Sequence, residues 1–356
     1  MASLFNVIFS ISQQISQYQQ TMQFLGAFSL LSFWAGLAVA AYNDACPNCT
    51  EIYNGGCDKD SGPVKLLIGN GGAGQSGLVK GDTTKTINNL KAGHVHVGIT
   101  YHKVAEQIAI DAGFAKGCMY EDDSKHPCFT DCKNATEKPC YTFRDHFYLV
   151  GPRENPAHVE KDENIMNTFR KIYETGERGK ARFLTRFDKS ATNIKDSEMW
   201  IGIGQVPWAH DYSEWYHQYI DYPVQALTEA ITQGEYTITD RGTYLTLMSQ
   251  FPCLTENTTI YQKGEDHEEL LNRGDIITSS NIQASDRSYV DDFVKWVHGP
   301  DGQGVIRNYH KPQKKYCLYK GFPTDGDSLE PDNCTWDLDA SKACATHDDG
   351  DVRVDL

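Results

Sequence analysis

Residues 64–77 read VKLLIGNGGAGQSG. The apolar run from Val64 to Ile68 predicts a buried strand. Gly69-Asn70-Gly71-Gly72-Ala73-Gly74 then fits G-x-G-x-x-G, a turn that receives a dinucleotide when it joins a strand to a helix. A dinucleotide site also needs an acidic residue about 20 positions further on, to hold the ribose hydroxyl. No Asp or Glu lies between Lys85 and Lys103, and no Gly-Lys-Ser/Thr follows to make a P-loop. The sequence therefore calls for no nucleotide, and no other cofactor is expected. What survives is the general property of such loops, backbone N–H groups at a helix start aimed at an anion.

A chain of 356 residues is long enough for two ordinary domains, and 40% hydrophobic content supports real cores. A net charge of -15 excludes nucleic acid as a partner, because that needs a basic face. An anionic small ligand would need local arginines and N–H groups to overcome an acidic whole. Strands are expected at 64–68, 95–101 and 145–152, and helices at 104–112, 165–177 and 197–203. The stretch YPVQALTEAITQGEYTITDRGTY reads as a helix, a glycine stop and a strand. SYVDDFVKWVHGPDGQ reads as a helix with Tyr289, Phe293 and Trp296 on its apolar stripe. Alternating strands and helices predict an α/β protein with mostly parallel sheets.

Residues 1–41 contain no charged side chain, and Phe24 to Ala41 is apolar with a small-residue end, Ala38-Val39-Ala40. That predicts a cleaved signal peptide over 1–41 and no membrane attachment afterwards, although 18 residues would also reach across a bilayer. A polar, Cys-rich leader follows over 42–61. The 11 cysteines and the sequons at Asn48, Asn134, Asn257 and Asn333 fit a secreted, disulfide-bonded glycoprotein of the extracellular space or cell wall. The pairing is not readable, and an odd count leaves one thiol over. Cys46-Pro47-Asn48-Cys49 lies outside any redox context. His126, Cys128, Cys132 and Cys140, or the pair His94 and His96, have zinc-ligating side chains, but in an oxidising compartment disulfides are expected and no metal.

TRFDKSATN, residues 185–193, places Thr185, Arg186, Ser190 and Thr192 before a helix. Arg supplies a rigid fork of donors, and hydroxyls and helix N–H groups add neutral ones. Gly81-Asp82-Thr83-Thr84 is a further donor-rich helix start. Plain helix capping explains such stretches equally well, so on the residues alone both readings stand.

With these stretches the chain resembles the solute-binding proteins for tungstate and molybdate, including secreted fungal relatives of the periplasmic-binding-protein superfamily. The likeness runs from about Val64 to Tyr309 through GGAGQSGLV, GDTT, FRDHFYLVGP, TRFDKSATN, YTITDRGTYL and FVKWVHGPDGQGVI. It implies the two-lobed type II periplasmic-binding-protein fold. Lobe one would span 62–147 and 273–311 and lobe two 148–272, joined by a two-strand hinge at 145–150 and 275–280. An acidic, Cys-containing tail would occupy 312–356. The implied ligand is a small oxyanion, tungstate or molybdate ahead of phosphate or sulfate. Arg186 would be its charged anchor, with Ser190 and Thr192 as donors. Gly71, Gly72 and Ala73 would give backbone N–H groups, and Thr83 and Thr84 would complete the shell. Arg241 is the rival anchor, unless it pairs with Asp240. Bacterial relatives pass their ligand to a membrane transporter, a partner this sequence does not name.

The chain departs from the family twice. Bacterial members carry Thr and Ser where this chain has Gly69, Asn70, Gly71 and Gly72. The stretch from Gly69 to His94 is also too short for helix, strand and second helix, so lobe one is expected to lack a helix and a strand after Lys80. The expected function is oxyanion binding without catalysis. The alternatives are a wall or matrix glycoprotein that keeps the fold without the ligand, and an extracellular hydrolase, for which no G-x-S-x-G or H-E-x-x-H is present. N-terminal sequencing of the secreted protein should begin near Ala41 or Tyr42, and glycosidase treatment should increase its mobility. An intact membrane-embedded segment over 24–41 would overturn the secreted reading.

Overall fold

The computed structural model describes residues 66–70, 78–122, 127–209, 213–311, 316–322 and 334–338. The expected signal segment and leader, Gly71, Gly72, Ala73, His126, Asn48 and Asn333 lie outside the described residues. In chain order the main elements begin with β1 (Ile68–Asn70), β2 (Leu78–Lys80), α1 (Thr83–Lys91), β3 (Val97–Thr100) and α2 (Lys103–Asp111). Next come β4 (Cys140–Pro152), α3 (Ile165–Gly176), β5 (Phe183–Thr185), α4 (Ala191–Gly202) and β6 (Tyr216–Gln218). They are followed by α5 (Pro223–Gln233), β7 (Tyr236–Asp240), α6 (Arg241–Gln250), β8 (Thr258–Lys263) and β9 (Leu271–Ser279). The last two are α7 (Ala284–His298) and α8 (Pro300–Arg307). The chain divides into two compact units. One takes the chain up to Arg144, Arg273–Tyr309 and Tyr319–Glu330; the other takes Asp145–Asn272, His310–Leu318 and Pro331–Leu356.

In the first unit the strands run β2-β1-β3-β9, with β1 parallel to both its neighbours and β9 antiparallel to β3. Every position of β3 is buried, as expected of a strand covered on both faces. α1 lies directly on it, because a Cβ at Gly98 would come within 2.6 Å of Leu90 Cδ1. The expected loss of a strand after Lys80 is corrected. Leu78–Lys80 is itself that strand, in register with β1 from Ile68↔Leu78 to Asn70↔Lys80. Positions 71 to 77 join these parallel strands, where a crossover through a helix takes about a dozen residues or more.

The apolar stripe of α7 is also corrected. Val290, Phe293, Val294 and Val297 are buried, at the i, i+3, i+4, i+7 spacing of a helix face, and Tyr289 is exposed. Cys118 is bonded to Cys140 and Cys128 to Cys132, which removes three of the thiols a zinc site would need. His96 Nδ1 accepts from Leu67 N at 3.3 Å. Asn134 and Asn257, the described sequon asparagines, are both exposed.

In the second unit β7 lies between β4, antiparallel to it, and β5, parallel to it, with β6 parallel on the far side of β5. β8 adds antiparallel to β4. An aromatic core fixes the helices to this sheet: Trp200 is fully buried, with its ring centroid 4.7 Å from Phe169 and 5.0 Å from Phe183. α5 opens on Pro223 and ends at Gly234, whose φ of 66° is the left-handed stop the sequence called for. The strand after it is shorter than the sequence suggested. Asp240 caps α6 through Thr243 N at 2.8 Å, so Arg241 begins a helix. α4 begins at Ala191, close to the start near Asn193 that follows from TRFDKSATN and ahead of the 197–203 stretch.

Arg241 organises the rest of this unit. It is fully buried, and all its guanidinium nitrogens are engaged. Nε donates to Cys317 O at 2.7 Å and Nη2 to Trp336 O at 3.0 Å. Nη1 donates to the Tyr148 hydroxyl and to Glu265 Oε1 at 3.2 Å. The Trp336 ring sits 4.8 Å from the guanidinium, and Cys317 is bonded to Cys334. A buried cation at a helix start faces the wrong end of the dipole, so these acceptors are what permit it. Burial alone would raise the pKa of Glu265, but the His146 hydrogen bond and the His146 and Arg241 charges bring it down from 4.5 to about 2. Arg241→Met should cost about 3–5 kcal/mol in urea denaturation, because Glu265 remains half-hidden without its cation. The stability of the wild type from this carboxylate is present above about pH 4.5 and lost as pH falls through about 2, so the difference between the proteins should narrow over that range.

Candidate functional site

The chemistry of TRFDKSATN is set by where its strand stops. β5 is buried throughout and ends at Thr185. Four residues, 186–189, then turn the chain into the cap of α4 at Ser190. Two of them sit in the left-handed region without being glycine, Phe187 at φ 47° and Lys189 at φ 63°. Each such residue costs about 1–3 kcal/mol and persists only where its surroundings hold it.

Asp188 does part of that holding. Its Oδ1 accepts from Ser190 N at 3.0 Å, and its Oδ2 accepts from Arg186 Nη2. Asn193 does the rest. Its Oδ1 accepts from Lys189 N at 3.1 Å, and its own N–H reaches Ser190 Oγ at 3.3 Å. Below them lies Asp196, 1% exposed. Asp196 Oδ2 accepts from Thr185 Oγ1 at 2.6 Å, and its Oδ1 accepts from Asn193 Nδ2 and Ser197 Oγ, each at 3.3 Å. Burial raises the Asp196 pKa from 3.8 to about 7, although the hydrogen bonds from Thr185, Asn193 and Ser197 oppose the rise.

Arg186 and Thr192 line one small concavity in this unit. Pro223, Ala226 and Leu227 from the first turns of α5 form one wall, and Thr237 to Asp240 of β7 another. Arg186 Nε is buried with no hydrogen-bond partner among the described residues. A buried donor left unpaired on a cation costs free energy until an acceptor arrives. The N-terminus of α4 adds N–H groups and the positive end of its dipole. This arrangement can bind an anion through one charged fork and neutral donors.

The other expected residues fall elsewhere. Ser190 adjoins the concavity in sequence but serves as the α4 cap, its hydroxyl oxygen accepting from Asn193 N. Arg241 is placed in its own buried cluster, and the expected pairing with Asp240 is replaced by Glu265. Thr83 and Thr84 open α1 in the first unit, where Asp82 accepts from Lys85 N at 2.7 Å. Thr83 Oγ1 is buried without a partner, and Thr84 is exposed. Sequence reasoning passed over Asp188, Asn193 and Asp196. The signal available was the Arg-x-Asp spacing of 186 and 188, which puts a carboxylate within reach of the fork.

Because Asp196 prefers its proton in the folded state, its contribution to stability is complete below about pH 4 and lost as pH rises through about 7. Thermal melts should therefore show a fall in stability over that range which is smaller in Asp196→Asn. Equal pH slopes in the two proteins would contradict the burial of a titrating carboxyl.

No known family profile matches the chain. A Haloferax volcanii protein, named provisionally as an ABC-transporter anion-binding protein, is 27% identical over 165 residues, 46% of this chain and 45% of its own length. The tungstate-binding protein TupA of Peptoclostridium acidaminophilum is 25% identical over 248 residues, 64% of this chain and 69% of its own length. This chain thus matches less than half of the first of these relatives and about two thirds of the second. A solved periplasmic protein that bears a provisional metal-binding name is 41% identical, with a TM-score of 0.63 over 74% of this chain and 98% of its own.

Proposed function

This chain belongs to the periplasmic solute-binding proteins of the two-lobed type II fold, and on that premise we propose that it captures a small oxyanion and catalyses no reaction. One relative is named for tungstate, one for an anion and a solved one for a metal, and an oxyanion of a metal fits all three names. Tungstate and molybdate are therefore the first candidates, ahead of phosphate and sulfate. The observation that carries the reading is Arg186, which lines a concavity with Thr192 and whose Nε is buried and unpaired. Ser190 and the first N–H groups of α4 are proposed as neutral donors beside it. Gly71, Gly72, Ala73, Thr83 and Thr84 stay in the proposal as donors of the first unit. Arg241 leaves it, because its nitrogens are already engaged. We further place the protein outside the cytoplasm, an assignment supported by its disulfides and by exposed Asn134 and Asn257.

One observation favours the second reading, a fold kept without its ligand: Asp188 already occupies one end of the Arg186 fork. Titration calorimetry separates the two. Wild type should bind tungstate and molybdate measurably, and Arg186→Ala should weaken binding about 10- to 100-fold, the loss of one or more charge-assisted hydrogen bonds. No measurable binding of tungstate, molybdate, phosphate or sulfate would leave the second reading.

A further inference from the structure

The buried carboxyl of Asp196 lies outside the proposed ligand set, yet the loop that carries Arg186 hangs from it at both ends. On the entering side, Thr185 Oγ1 donates to Asp196 Oδ2 at 2.6 Å, and Thr185 immediately precedes Arg186. On the leaving side, Asn193 Nδ2 donates to Asp196 Oδ1 at 3.3 Å while Asn193 Oδ1 accepts from Lys189 N at 3.1 Å. The same Asn193 amide also donates to Thr185 Oγ1 at 3.2 Å, which closes the two sides into one network. Between those supports lie Phe187 and Lys189, both in the left-handed region. Nothing in capping or core packing requires a carboxyl at this depth in α4.

We propose that Asp196 is the positioning residue of the oxyanion loop, and that it takes up a proton as the anion is captured. The inference rests on the oxyanion reading given above. Its electrostatics follow from what faces Asp196. Asp188 in the loop acts on it as a like charge, and the Tyr216 hydroxyl on β6 is close enough to feel it. α3 turns only uncharged residues inward, namely Ile165, Thr168, Phe169, Ile172, Thr175 and Gly176. On α4 itself Lys195 and Glu198 pair with each other at 3.1 Å. The loop carries two cations, Arg186, which already faces Asp188, and Lys189, which is exposed. A dianion arriving at Arg186 would add negative charge next to Thr185, whose hydroxyl Asp196 holds at 2.6 Å, and burial has already moved Asp196 to about 7. The arriving charge disfavours ionised Asp196, so binding and protonation support each other, and by linkage the affinity falls as pH rises. Neutral Asp196 still accepts on one oxygen and donates through its hydroxyl, so the loop stays hung.

The test uses the full-length protein and tungstate, which carries no proton of its own near neutral pH. Calorimetry in buffers of different ionisation enthalpy should show proton uptake on binding near pH 7. The affinity should fall about fivefold or more between about pH 6 and about pH 8.5. Asp196→Asn keeps the hydrogen-bonding shape without the titration. It should bind tungstate with a nearly pH-independent affinity and no proton uptake, whereas Asp196→Ala should weaken binding at every pH. Tungstate binding by wild type with no proton uptake, or a pH profile that Asp196→Asn leaves unchanged, would overturn the inference while leaving the oxyanion reading intact. Absence of any tungstate binding by wild type at either pH would instead overturn the reading on which it rests.

Discussion

Residues 186–189 have to hold a cation against the start of a helix in a backbone that non-glycine residues disfavour. The binding proposed for the second unit depends on that being held. Phe187 and Lys189 together store a few kcal/mol of backbone strain. Against it stand the two bonds of Asp188 and the amide of Asn193, which ties Lys189 to the Thr185–Asp196 pair. Hydrogen bonds to charged groups contribute about 1.5–3 kcal/mol each, so a few of them are enough to offset the strain. These partners hold the loop, and with it Arg186, whose Nε is buried without an acceptor of its own.

The two arginines of the unit illustrate how burial and partners divide labour between identical side chains. Arg241 is enclosed by carbonyls from Cys317 and Trp336, by Tyr148 and by Glu265. Nothing further can bind to it, and its work is to fasten the Cys317–Cys334 segment to α6. Arg186 has a single carboxylate partner and one buried nitrogen with none. An anchor for a ligand needs that incompleteness, since a fully satisfied cation gains little from a new anion.

Much of the architecture was legible because it is local. The glycine stop at Gly234, the start of the following strand and the run from Thr185 into a helix all rest on neighbours in sequence. What stayed hidden depends on distance. Arg241 next to Asp240 invites an ion pair, but Asp240 spends its carboxylate on capping Thr243, and the true partners lie as far as Trp336. Leu78–Lys80 has no pattern of its own, and only pairing with β1 makes it a strand. Tyr289, Phe293 and Trp296 also stand at i, i+4, i+7, so spacing alone does not separate that stripe from the buried one that starts at Val290 and shares Phe293. Asp196 in a polar helix turn reads as solvated until Thr185 and Asn193 are seen to enclose it.

The central claim is that an oxyanion is held at Arg186. Crystals grown with tungstate and measured across the tungsten absorption edge test it most directly, because the anomalous signal locates the metal atom without reference to any expected site. The account predicts a single strong peak with an oxygen within hydrogen-bond distance of Arg186 Nε and the first turn of α4. A peak held by other residues, with Arg186 still paired only to Asp188, would contradict it.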